Sequence, residues 1–128
     1  MKRLLLRVIL LLSWSYCCTC KAQSVGRQLG ADSLFLRQLC DTVMSKQDKS
    51  DSQVLFKRLL DESRKRRNTY YEGTALFLLA KYYYSGEVDS MVYYIQQAIP
   101  LLYRQNRLEE LFRMKAWYVY ALTRGKNN

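Results

Sequence analysis

From residue 32 onward the apolar positions recur at helical spacing, with no sustained strand-like alternation, and start and stop signals cut the chain into five segments. Asp32 or Ser33 can open a helix that carries Leu34, Phe35, Leu36 and Leu39 and runs to about Ser45, before a polar loop over 46–50. Ser50-x-x-Gln53 and Thr69-x-x-Glu72 have the form of capping boxes, in which side chains satisfy the free amides of a first turn. They predict helices to about Arg67 and to Tyr84, the second closed by Gly86 in a left-handed conformation. Asp89 and Asn106 are the expected caps of a fourth and a fifth helix, the last running to about Thr123. Tyr71, Ala75, Leu78, Leu79 and Tyr82 make one apolar stripe, and Val88, Met91, Val92, Ile95, Ile99 and Leu102 its counterpart on the next helix. Pro100 interrupts that second stripe. A proline inside a helix lacks an amide and clashes with the preceding turn, at about 3 kcal/mol, so a kink or an end near Ile99 is expected.

The stretch Glu72 to Ile99, helix–turn–helix around Ser85-Gly86-Glu87, resembles a tetratricopeptide repeat. That family is marked by W-x2-L-G-x2-Y on its first helix and A-x3-F on its second. Ala75, Leu78, Leu79 and Tyr82 fall on the first set, Met91 and Ile95 on the second, and Ala98 on a further small position. The departures are Ala75 where the family has a large aromatic, Leu79 at its glycine, and Tyr103 at its proline. Residues 110–125 look like the first helix of a following repeat, with Met114, Trp117, Tyr118 and Ala121 in matching places. Gly86 to Gly125 (125 − 86) gives a spacing of 39, against roughly 34 in the family. The resemblance implies an all-α fold, antiparallel helix pairs stacked as a short solenoid over 32–128. It also implies a scaffold that binds a protein or peptide rather than an enzyme. The family's groove positions correspond here to Gly73, Leu76, Ala80, Tyr83 and Tyr84, continued by Phe112, Lys115, Val119 and Leu122. Tyrosine suits such a surface, joining large contact area to a hydroxyl, but adjacent tyrosines also fill seams between helices.

The first 22 residues have the parts of a secretory signal: Lys2 and Arg3, an apolar run from Leu4 to Leu12 broken by Arg7, and small residues before a cut after Ala22. The run falls short of the roughly 20 residues that a membrane span needs. Export to a periplasmic or cell-envelope location is therefore expected, with lipidation within Cys17-Cys18-Thr19-Cys20 or an uncleaved anchor as the alternatives, and 23–31 as a flexible linker. Export signal, degenerate repeats and tyrosine-rich helices together resemble the front of exported regulators of Bacteroidetes-type bacteria. That likeness implies the sensor part of something larger, or a structural fragment without activity of its own. The last helix, lacking a partner helix within the sequence, would then be covered by a partner or by self-association.

Cleavage changes both cysteine and charge arithmetic. Cys40 alone would remain, too few for a disulfide or zinc site, and its apolar setting suits a small core residue. Lys2, Arg3, Arg7 and Lys21 would leave, taking the formal net charge from +10 to +6. Histidine is absent, the pairs Asp61-Glu62 and Glu109-Glu110 point about 100° apart on a helix, and no glycine-rich phosphate loop occurs. No cofactor and no catalytic or metal site is expected. The run Arg64-Lys65-Arg66-Arg67 suits the last turn of a helix, where cations meet the negative dipole end. Its alternative use is an anionic membrane surface; export disfavours nucleic acid.

Overall fold

The computed structural model describes residues 30–46 and 49–125; the expected signal and nearly all of the expected linker lie outside them. The chain divides between Phe35 and Leu36. Of the first part the described residues, 30–35, are helical, so helix is already formed at Gly30 and Ala31, inside the expected linker.

Five helices and no strand are found among the described residues: α1 (30–45), α2 (Lys49–Lys65), α3 (Thr69–Tyr83), α4 (Val88–Arg104) and α5 (Leu108–Gly125). Helices adjacent in sequence from α2 to α5 pack in pairs, and α3 also touches α5. α3 is the centre. Gly73, Ala75, Leu76, Leu78, Leu79, Ala80 and Tyr83 are buried, which covers most of its circumference, as its nearly all-round apolar composition demands. Leu36, Leu39 and Val43 of α1, Leu59 and Leu60 of α2, Met91, Ile95, Ala98 and Leu102 of α4, and Leu111, Met114 and Ala121 of α5 complete the core.

Several expected boundaries shift by a residue or two, each for a local reason. Asn68, not Thr69, caps α3, its Oδ1 accepting from the Tyr71 amide at 3.2 Å. Glu72 is thereby freed from a capping box and binds Arg64. α2 starts at Lys49, and Gln53 reaches across to donate to the Tyr83 hydroxyl. Glu87 stands at the α4 N-cap, its carboxylate accepting from Ser90 Oγ at 2.8 Å, and Asp89 lies in the first turn. α4 continues through Pro100 to Arg104, so the proline does not end the helix near Ile99.

Gly86 does not take a left-handed conformation; Arg67 (φ 53°) and Asn106 (φ 54°) do. Each closes a helix in the same way. Arg67 donates to the Arg64 carbonyl and Asn68 to that of Ser63; Asn106 donates to Tyr103 and Arg107 to Leu102, all at 2.8–3.1 Å. This is the 6→1 and 5→2 pattern of a Schellman turn. Asn106 therefore terminates α4 instead of capping α5. The two turns are 39 residues apart (106 − 67), as are the starts of α2 and α4 (88 − 49) and of α3 and α5 (108 − 69). Core positions follow the same step: Leu36, Ala75 and Met114 are all fully buried, as are Leu59 and Ala98, and Ser63 and Leu102.

Candidate interaction surface

The residues expected to line a groove divide sharply. Gly73, Leu76, Ala80 and Tyr83 are buried in α3. Tyr83 stacks on Tyr94 of α4 with ring centroids 5.7 Å apart, and a Cβ at Gly73 would sit 3.5 Å from Leu102 Cδ2 of α4. Gly73 and Tyr83 thus lie against α4, and all four positions are closed to a partner. Phe112, Val119 and Leu122 on α5 are open to solvent, at 70%, 59% and 51% exposure, and Lys115 lies exposed among them.

The 39-residue step relates the two sets. Gly73, Leu76, Ala80 and Tyr83 map onto Phe112, Lys115, Val119 and Leu122. The face of α3 that α4 covers is thus the face of α5 that no described residue covers. Lys115 makes no ion pair among the described residues and takes the place of a fully buried leucine. Tyr84 lies beside this face, its ring 5.5 Å from Trp117 and 5.3 Å from Tyr120, so it ties the end of α3 to α5 while keeping one exposed edge.

The basic run is largely spent on the fold. Arg64 Nε donates to Glu72 Oε1 at 2.9 Å and its Nη2 to Gln97 Oε1 at 2.6 Å, joining α2 to α3 and α4. Arg66 pairs with Glu62, with Lys65 3.9 Å from the same carboxylate. The Arg66 hydrogen bond holds the Glu62 carboxyl below its ordinary range. Arg67 supplies the left-handed turn residue and is exposed. Cys40 is half-buried; desolvation first, then the nearby Asp41 charge, push its thiol up, which makes it less reactive.

Sequence reasoning missed Arg107. Its side chain is only 11% exposed. Nη1 donates to the Tyr70 carbonyl and Nη2 to Thr74 Oγ1, each at 2.9 Å, Nε donates to Glu110 Oε2 at 2.8 Å, and the guanidinium lies 4.5 Å over the Tyr70 ring. Gln105 adds a bond to the Thr69 carbonyl at 2.7 Å. The α4–α5 turn is thereby laced to the start of α3. The one available signal was Gly73: a glycine inside an apolar helix marks close approach, here of Arg107, Gln105 and Leu102.

Among the described residues no three His, Cys, Asp or Glu converge as metal ligands, and no helix is long and apolar enough to cross a membrane. Compared with known proteins, the chain matches no family model, no curated protein and no solved structure.

Proposed function

We propose that this protein is an exported helical-repeat module of tetratricopeptide-like organisation that binds a partner protein. The α5 face formed by Phe112, Lys115, Val119 and Leu122 is the contact surface. One observation carries the reading: in the 39-residue step these positions correspond to the α3 face that α4 buries. The occupant that this correspondence favours is an amphipathic helix, since a helix fills the equivalent seam. A two-fold pairing of α5 with a second copy would bring Lys115 close to its own counterpart, and like charges meeting in an interface are repulsive. A partner helix with an acidic residue in its apolar stripe instead neutralises that ammonium. The reaction-free character of the sequence, without histidine or a phosphate loop, fits a scaffold rather than a catalyst.

The test is titration of the full chain with designed amphipathic helical peptides that differ only by glutamate, glutamine or lysine within the apolar stripe. The glutamate peptide should bind best, and Lys115→Glu should invert the order by about tenfold in each direction. Phe112→Asp should abolish binding at unchanged melting temperature, because Phe112 is exposed. Equal affinity for all three peptides, or an indifferent Phe112→Asp, would remove this face. Tyr83 is unsuitable as a probe because it is buried, and its truncation would unsettle the core.

A further inference from the structure

Away from α5, the C-terminal end of α1, the first turns of α2 and the end of α3 enclose a cleft of about 600 Å³. That lies within the roughly 300–1,000 Å³ of small-molecule sites. Its apolar wall comes from three helices: Val43 of α1, Phe56 of α2, and Leu78 and Tyr82 of α3. Val43 and Leu78 are buried, and Phe56 meets Tyr82 edge to face with ring centroids 6.4 Å apart, so the wall is preformed. Met44, exposed on the same rim, is flexible and polarizable and can fold over an apolar guest.

The polar rim is lopsided. Lys46 and Lys81 both line the cleft, both are exposed, and neither forms an ion pair among the described residues, unlike Arg64 and Arg66 of the basic run. Among the described lining residues Glu87 is the one acid, and its carboxylate is turned to Ser90 in its own helix cap. The Tyr83 hydroxyl already accepts from Gln53. Such a cleft offers an apolar wall with few polar groups to recognise a complex body, and two exposed lysines on its rim.

The geometry points to a binding site for a single-chain amphiphile with an anionic head, the acyl tail on Val43, Phe56, Leu78 and Tyr82 and the head between Lys46 and Lys81. Carboxylate and phosphate heads share this chemistry. The tail gains by leaving water, and the head gains from two ammonium groups that no described carboxylate pairs with. This site is separate from the α5 face and does not depend on it.

Calorimetric titration of the full chain with dodecanoate, dodecyl phosphate and dodecanol, each below its micelle concentration, tests the assignment. At least one anion should bind roughly tenfold more tightly than the alcohol, and the stronger anion identifies the head. Lys46→Gln with Lys81→Gln should erase that preference and leave alcohol binding in place. Gly86 lines the cleft, and a Cβ there meets nothing within 4 Å, so Gly86→Leu should fold normally and block all three ligands. Lys115→Glu should change none of these affinities. Equal binding of acid and alcohol, no binding at all, or indifference to both the lysine pair and Gly86→Leu would overturn the site. So would capture of a peptide C-terminus in preference to dodecanoate.

Discussion

One guanidinium laces the α4–α5 turn to the start of α3. Arg107 donates to a carbonyl and a hydroxyl of α3 and to the carboxylate of Glu110, and lies over an aromatic ring, while being nearly buried. Removing it leaves the Tyr70 carbonyl, the Thr74 hydroxyl and Glu110 to find water in a half-closed seam, at a cost of about 2 kcal/mol. Gly73 is coupled to it. Alanine in place of a mid-helix glycine gains about 1 kcal/mol in propensity, but here the new Cβ would stand 3.3 Å from both Arg107 Nη1 and Gln105 Oε1. Gly73→Ala should therefore be close to neutral in the native chain and stabilising once Arg107→Ala has emptied the site. Urea midpoints of the four variants in a double-mutant cycle should give a coupling of at least about 0.5 kcal/mol. Equal effects of Gly73→Ala in both backgrounds would refute the coupling. A charged residue on a loop carries no sign of burial in a hydropathy pattern, which is why Arg107 was illegible while Ala75, Leu78 and Leu79 were plain.

For the helices, periodicity located all five and the capping side chains placed their starts within a few residues, because amphipathic stripes and orphan amides both leave marks in a sequence. The chain reversals were harder. Glycine advertises a left-handed turn, yet the two Schellman turns use Arg67 and Asn106, and the glycine that seemed suited, Gly86, is not in that conformation. Asparagine tolerates positive φ; arginine is strained there by about 1 kcal/mol. Arg67→Gly should raise the urea midpoint by the equivalent of roughly 1 kcal/mol, whereas Asn106→Gly should change it by only a few tenths. A gain no larger at position 67 than at 106 would mean that the α2–α3 turn is not strained. The buried α3 part of the expected groove, Gly73, Leu76, Ala80 and Tyr83, escaped sequence reading for a related reason: position on a helix face says which residues are apolar together, not whether the next helix or the solvent meets them.

Across the whole molecule, the titrating groups set an alkaline limit. Cys40, Tyr71 and Tyr94 all lie above their ordinary values of 9.0, 10.0 and 10.0, chiefly because burial disfavours the anion. In each case the unfolded chain gives up its proton first. Stability is then fully present below the unfolded pKa and declines as pH rises from about 9 through the folded values. The melting temperature should fall progressively from pH 9 to 11, and Tyr71→Phe with Tyr94→Phe should flatten the decline. A flat profile in the native chain would show that these groups ionise in place. On the acid side, Glu62 is held low by Arg66, so its contribution is present above the unfolded carboxylate pKa and lost as pH falls through the folded one. Since that carboxylate is solvent-screened, the acid limb should be shallow.

Trp117 stands 5.4 Å from Phe77 and 5.5 Å from Tyr84, at the contact of α5 with α3. The second tryptophan, Trp14, falls in the segment expected to be cut away. A processed chain would therefore emit from one indole, seated on the helix that carries the open face. Its colour becomes a private channel. A red shift before the tyrosine and circular-dichroism transitions would register α5 lifting off alone, and a blue shift on adding a peptide would register the same helix being covered.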